Sequence, residues 1–508
     1  MDKTLDDYPL LIRADAGGML GTGHVMRMIA LAQAWQERGG SVTLASCQCP
    51  ASLIERLAKE NIQHVTLGSH SLGDEAELEA TKELAQSIGA KWIVIDGYHF
   101  SSTYQKALKD RGFKVLAMDD YGHCETWHAD IVLNQNLRDK DEEADAGATT
   151  PTRFLHGPSF SLLRREFRHA PRLHTRSPET VATKLLITFG GVDPTQASLK
   201  VLRALNSVPA LALNLRILAG LANSNLNALA EEVAISPHEA ELVPACDNMP
   251  TLYQWADRVI SAGGSSCYEW MLFRIPGWIA SVADNQDAIV KAMLKHGRAA
   301  GITQLSAISH QDLARNLALW LGSKSVTSEN VPLVDGYGAL RLASALSSIS
   351  SWVRPVDEAK DAGFLFALAN DPGIRSAGRH VSAIQWGEHL AWLQRHCGSL
   401  DSNLMIIELL GFGPVGQVRF HQRRNQIWEI GISIASDQRQ TGLGFISLYL
   451  AMCAHRSINP VRLWLAEIRE ENIASQRLFG KLGFIRADSA GGMQAWHLGT
   501  DHSNSNDT

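Results

Sequence analysis

Strand-like apolar runs alternate with helix-period stretches through the first 300 residues of the chain. Leu10-Leu11-Ile12-Arg13, Ser41-Val42-Thr43-Leu44, Trp92-Ile93-Val94-Ile95 and Lys114-Val115-Leu116-Ala117 each end near a Gly, an Asp or a turn. Between the first two, Val25, Met28, Ile29 and Ala32 recur at offsets 0, 3, 4 and 7, the stripe of one helix face. That alternation predicts a parallel sheet covered by helices. Residues 137–176 are richer in charge, Pro and His, carry an acidic run at 139–145, and read as a connection. A second alternation follows: residues 184–189 run into Gly190-Gly191, residues 213–218 into Gly220, and residues 259–261 into Gly263-Gly264. Two such units predict two lobes with a cleft between them. Ligands of open α/β sheets sit beyond the carboxyl ends of the strands, where these glycines fall.

The pattern changes near residue 347. Helical stretches at 364–370 and 386–396 precede short strands at 404–410, 416–421 and 429–434. A turn and helix at 439–455, a strand at 461–465 and a helix at 472–482 complete an α+β unit. The expected boundaries are a first lobe at 1–155, a second lobe at 156–346, a linker at 347–358, a third domain at 359–499 and a frayed polar tail at 500–508.

Charge narrows the choice of partners. The 508 residues hold 47 Lys plus Arg against 53 Asp plus Glu, a formal charge of −6. Residues 356–508 carry 14 basic and 15 acidic groups, leaving 33 and 38 before them. No segment concentrates positive charge, which argues against duplex nucleic acid and anionic membrane surfaces. Anionic small molecules stay open, because backbone amides bind phosphate without net basic charge. Of the seven cysteines only Cys47 and Cys49 are close in sequence, with no second pair or His cluster, so neither a structural zinc nor a disulfide framework is expected. Met1 to Pro9 lacks an apolar signal-peptide core, and the most apolar stretch, residues 208–222, is too short to span a bilayer. The expected compartment is the cytoplasm, and nothing in the residues sets an oligomeric state.

The segment from Arg13-Ala-Asp15 through Gly17-Gly18 to Gly21-Thr22-Gly23-His24-Val-Met-Arg27 joins the first strand to its helix. Glycines permit positive φ, and free amides at a helix start favour a diphosphate. An imidazole at His24 can take a proton near neutral pH; the competing reading is a packing or capping histidine.

This segment resembles the UDP-sugar hydrolases of pseudaminic acid biosynthesis, which share the two-lobed glycosyltransferase B fold with its Rossmann-like lobes. The likeness continues at Val94-Ile95-Asp96-Gly97-Tyr98, Met118-Asp119-Asp120-Tyr121, Ile187 to Pro194, Ser261-Ala-Gly263-Gly264-Ser265-Ser266, Asp284-Asn285-Gln286 and Asp335-Gly336-Tyr-Gly338. The resemblance implies inverting hydrolysis of UDP-2,4-diacetamido-2,4,6-trideoxy-β-L-altropyranose to UDP and free sugar. It makes His24 the catalytic histidine and places Tyr98 and Asn285 at the sugar. Substrate binding falls to Gly21, Thr22, Gly23, Arg27, Gly264, Ser265, Ser266, Glu269 and Gln286. Glu269 also completes the capping pattern Ser266-x-x-Glu269, against a family role on the ribose hydroxyls. Tyr98 has a plain alternative as a half-buried core tyrosine. A glycosyltransferase using a sugar acceptor instead of water is the neighbouring possibility.

In the third domain, Arg439-Gln440-Thr441-Gly442-Leu443-Gly444 forms a strand-to-helix turn suited to a pyrophosphate. With Glu429-Ile-Gly-Ile-Ser-Ile before it, Asn472 to Phe484 after it, and Asn370-Asp371-Pro372, Arg375, His389 and Trp392 upstream, it is similar to the GCN5-related N-acetyltransferases (GNAT), particularly those acting on nucleotide-linked amino sugars. The resemblance implies acetyl-CoA as donor, with Gln438, Arg439, Gln440, Thr441, Gly442, Leu443, Gly444 and Asn472 at the cofactor. It also implies acetylation of the 4-amino group of the UDP-amino-sugar precursor. Glu429 falls where a base could act through water, or is a plain strand-edge carboxylate. Many members have Tyr where this chain has Phe479, which leaves the proton donor to the thiolate open. Arg423-Arg424 reads as a solvated turn. No metal is expected.

Overall fold

Strands whose side chains are apolar on both faces must be covered on both faces, and that requirement builds the first two layers of this protein. The computed structural model describes residues 9–17, 20–68, 70–137, 147–148, 152–170, 183–220, 223, 225–244, 248–323, 334–347, 350–377, 382–424, 426–490 and 492–499. The acidic run at 139–145, Gly18 and the tail at 500–508 lie outside them. The chain divides into two compact units, the larger covering most of residues 7–339 and the smaller formed chiefly from Leu340 onward.

The larger unit holds two sheets. The first has seven strands, all paired in parallel, in the order Gln63–Thr66, Val42–Ser46, Leu10–Ala14, Trp92–Asp96, Lys114–Met118, Ile131–Asn134, Arg153–His156. The order reverses between Leu10–Ala14 and Trp92–Asp96, so a crevice opens at their carboxyl ends. The second has six parallel strands: Glu239–Pro244, Asn214–Ala219, Lys184–Thr188, Arg258–Ala262, Gly277–Ala280 and Ala300–Ile302. It reverses in the same way, between Lys184–Thr188 and Arg258–Ala262. Here Gly220 is forced by packing: a Cβ on it would lie 2.3 Å from the Gly191 carbonyl oxygen. The two-lobe expectation holds. Arg153–His156 corrects one detail, since the stretch taken as connection supplies an edge strand.

The smaller unit is a seven-stranded mixed sheet in the order Ser351–Pro355, Ser402–Leu409, Gly413–Arg424, Ile427–Ile434, Leu463–Arg469, Met493–Gly499, Ile485–Ala490. The helix Leu443–Arg456 packs Leu443, Ile446 and Leu450 with Met405, Val418 and Trp428 in one core, and Leu365 and Leu393 cover the other face over Leu404 and Ile406. Residues 347–358, expected to be a linker, contain the first of these strands. Its Arg354 is buried by pairing with Asp361 (2.7 Å) and Glu408 (2.7 Å), a burial that hydrophobic pattern does not reveal.

Ile427–Ile434 and Leu463–Arg469 are neighbours in parallel, but their ladder covers only Ile427–Glu429 against Leu463–Leu465. Beyond Glu429 and Leu465 the two strands no longer pair with each other, though each stays paired to its other neighbour, which opens a fork in the sheet.

Candidate functional site

At the reversal point of the first sheet an imidazole, a guanidinium and two carboxylates interlock. Helix Gly23–Glu37 begins just after Gly21, whose φ of +68° turns the chain into it. His24 and Arg27, one turn apart on that helix, both reach Asp96 at the end of Trp92–Asp96. His24 Nδ1 lies 2.7 Å from Asp96 Oδ1. Arg27 donates from Nε to Asp96 Oδ2 at 2.7 Å and from Nη2 to Asp96 Oδ1 at 2.6 Å. The same guanidinium donates from Nη1 and Nη2 to Asp120 at 2.7 and 3.0 Å. Burial works against the charge on Asp96, but Arg27 and then His24 outweigh it and hold the carboxyl well below its usual range. An ionised carboxylate only accepts, so the neutral His24 ring carries its proton on Nδ1 and is left with Nε2 as its basic atom.

Asp120 takes a further bond from Tyr98 Oη at 2.8 Å, and Tyr98 Oη accepts from Asn285 Nδ2 at 3.0 Å. The rings of His24 and Tyr98 meet edge-on at 5.2 Å between centroids, and Tyr121 lies 5.0 Å from Tyr98. Burial, then Asp120, raises the phenol above its ordinary range, so Tyr98 stays protonated. His24, Tyr98 and Asn285 are thus brought together, although Asn285 comes from the second sheet's strand-to-helix turn. Asp96 and Asp120 carried no assigned role in the sequence reading. The readable signal was an acidic residue ending an apolar strand next to the chain reversal.

The remaining expected positions divide. Arg27 is bound on both sides by carboxylates. Arg13 and Asp15 of the same motif anchor the loop: Arg13 pairs with Asp15 and Glu77, each at 2.6 Å, and Asp15 Oδ1 accepts from the amides of Cys47 and Gln48. Gly264 and Ser265 lead into the short helix Ser266–Leu272, which has no side-chain cap bond at Ser265. Glu269 instead accepts from Tyr253 Oη at 3.0 Å and faces Arg164 at 3.7 Å, so the capping reading does not describe it. Burial pushes its carboxyl up, opposed by Arg164 and Tyr253. The Gln286 side chain accepts from the Val282 amide at 3.1 Å.

In the smaller unit, the turn expected at the cofactor leads into the 14-residue helix Leu443–Arg456. Gln440 and Gly442 have φ of +65° and +85°. Thr441 Oγ1 donates to the Gln438 carbonyl at 3.0 Å, and Arg439 is tied to Asp371 at 2.7 Å and to the Ile434 carbonyl at 2.9 Å. Asn472 caps the helix Ile473–Lys481 through the Ser475 amide at 3.0 Å. Glu429 stands at the fork opposite His421, ion-paired to Arg423, which also lies 4.0 Å from Glu467. Arg423 is therefore a partner of the candidate base, not part of a free solvated turn. Phe479 is buried, edge-on to Phe484 at 4.9 Å. Among the described residues no group of three or more His, Cys, Asp or Glu is placed to hold a metal ion, and no helix is long and apolar enough to cross a membrane.

Comparison with known proteins follows the same division. Residues 352–485 match the family described as acetyltransferase (GNAT) domain. The chain is 22% identical over 505 residues to an uncharacterized protein of Methanocaldococcus jannaschii, covering 94% of this chain and 96% of that one. It is 24% identical over 347 residues to spore coat polysaccharide biosynthesis protein SpsG of Bacillus subtilis, covering 66% and 97%. It is 23% identical over 289 residues to a UDP-2,4-diacetamido-2,4,6-trideoxy-β-L-altropyranose hydrolase of Campylobacter jejuni, covering 57% and 97%.

Proposed function

We propose that this chain, a nucleotide-sugar-enzyme-like module joined to a GNAT acetyltransferase domain, is a bifunctional enzyme acting on one family of UDP-amino sugars. The larger unit hydrolyses UDP-2,4-diacetamido-2,4,6-trideoxy-β-L-altropyranose. A water oxygen forms the new bond to the anomeric carbon from the face opposite UDP, the bond from that carbon to the diphosphate oxygen breaks, and UDP leaves. His24 Nε2 takes the proton of the water and returns it to solvent, while Tyr98 and Asn285 orient the sugar. UDP is a stable leaving group, so the protein's task is to orient one water and accept one proton. The observation that carries this reading is the His24–Asp96 bond at 2.7 Å, which fixes the tautomer a general base needs.

The smaller unit forms an amide from the 4-amino group of the precursor. The amine nitrogen attacks the thioester carbonyl of acetyl-CoA, the carbon–sulfur bond breaks, and the amine proton leaves through water toward Glu429. The fork beyond Glu429 and the turn at Gln438 to Gly444 support a place for the thioester and the pyrophosphate. Acetylation would precede hydrolysis, since the hydrolysed sugar carries both acetamido groups.

The test is UDP release from the diacetamido nucleotide with no acceptor added, by wild type and His24→Ala. Release by wild type with a loss of about 10²–10⁴-fold in the variant is expected. Release only after a sugar acceptor is supplied would replace hydrolase with glycosyltransferase.

A further inference from the structure

Asp120 joins three residues of the cleft, Arg27, Tyr98 and Asn136. Its carboxylate accepts from Arg27 through two nitrogens, from Tyr98 Oη, and from Asn136 Nδ2 at 3.3 Å, which also reaches its backbone carbonyl at 3.1 Å. A phenol has one proton. Here that proton is committed to Asp120, so the neighbouring Asn285 must present its NH2 group to the oxygen, as the 3.0 Å contact has it. Tyr98 therefore offers the cleft lone pairs only.

We propose that Asp120 is a positioning residue that makes Tyr98 a hydrogen-bond acceptor, and that the substrate group read by Tyr98 is a donor, an amide N–H or a hydroxyl, for which the Asn285 amide stands in here. The role of Tyr98 at a sugar rests on the function proposed above; the direction of its bond to Asp120 does not. A site built to receive a donor rejects an analogue lacking it far more strongly than a merely apolar pocket would, because the buried acceptor is left unpaired. Selection for an N–H or O–H on the sugar would thus be set by a carboxylate that never touches the substrate.

The experiment uses the full chain labelled with 13C at tyrosine Cζ, the Tyr98 signal being identified by its loss in Tyr98→Phe. In the wild type the signal should lie downfield of an exposed phenol, as donation to a carboxylate requires. It should move upfield in Asp120→Asn and return toward its original place in Asp120→Glu. UDP release should fall about 10²-fold in Asp120→Asn, the cost of misplacing a group in an oriented site. A wild-type signal at or upfield of the exposed phenols overturns the proposal without any variant having to fold. A folded Asp120→Asn with an unmoved signal or undiminished UDP release overturns it as well. If the signal moves as expected but the wild type releases no UDP from the nucleotide, the hydrolase reading fails and the Asp120–Tyr98 assignment stands.

Discussion

The cleft of the larger unit and the fork of the smaller one both gather charged residues, but on different terms. In the cleft, Asp96 is completely buried and Arg27 nearly so, and each charge shares partners with another. Buried charges must be paired, so these positions interlock and a change at one reaches the rest. At the fork, Glu429 and Arg423 are 24% and 42% exposed, and Arg439 meets Asp371 at 37% and 19%. Exposed pairs of that kind are worth roughly 0–1 kcal/mol, so each is close to independent. The first site is held in shape before any ligand arrives. The second takes its shape from backbone, a splayed ladder and a positive-φ turn.

The widest separation between the two should come from Asp96→Asn. The amide can donate to His24 Nδ1, which moves the imidazole proton to Nε2 and removes the base proposed above. A comparable wrong-tautomer change lowers turnover about 10⁴-fold in serine proteases. It also leaves Arg27 half-paired in a buried place, a loss of about 3–5 kcal/mol. UDP release and denaturant unfolding measure the two. A variant losing activity with its unfolding midpoint unchanged would show that the cleft is no more interlocked than the fork.

At the fork, the comparison predicts that backbone outweighs side chains. A β-branched residue has no comfortable conformation at the φ of +85° that Gly442 adopts. Gly442→Val should cost about 1–2 kcal/mol of local strain, hence about a tenfold weaker affinity for acetyl-CoA by calorimetry. Arg439→Gln should change it less. The reverse ranking would make the turn a side-chain site.

The legibility of the sequence follows the same line. Strands such as Trp92–Asp96 were readable because burial there is apolar. Gln63–Thr66 was not, since its ends are exposed and no alternation marks it, and Ser351–Pro355 was not, since Arg354 is buried by ion pairing. In the site, His24 stood out by its place beside the glycine turn, Tyr98 and Asn285 were named through family likeness, and the three converge. What holds them was hidden: Asp96 and Asp120 lie 69 and 93 residues from Arg27, and only the strand order brings them to it. Asn472 and Arg439 were expected at the cofactor; their side chains are engaged in a helix cap and a pair with Asp371, contacts that the motif does not reveal.

A smaller effect lies at the edge of the cleft, where His123 bonds Asp119 at 3.2 Å and meets the Tyr98 ring at 5.6 Å. Burial opposes its charge, but Asp119 and Cys124 outweigh burial and push it up to about 9. A histidine raised on folding contributes stability that is fully present below its unfolded value near 6.5 and is lost as pH rises through 9. The melting temperature of wild type should therefore fall relative to His123→Gln between pH 6.5 and 9. Parallel curves would remove His123 from the charged network.

The smallest expected effect on activity concerns Phe479→Tyr, and it probes whether the fork lacks the tyrosine that the resemblance to GNAT enzymes leads one to expect. A positioned general acid is worth about 10²–10⁴-fold, so a rise of that size in acetyl transfer would show that the hydroxyl alone had been missing. The packing argues otherwise. Phe479 is 3% exposed and set edge-on against Phe484 within an apolar core that includes Trp464 and Ile468. A hydroxyl placed there without a partner costs about 1–3 kcal/mol, which should appear as a lower melting temperature. Acetyl transfer should stay within about twofold of wild type, because a hydroxyl enclosed in that core is not placed to protonate a thiolate. In that case the departure at Phe479 is a repacked core position, and the fork works through its backbone shape.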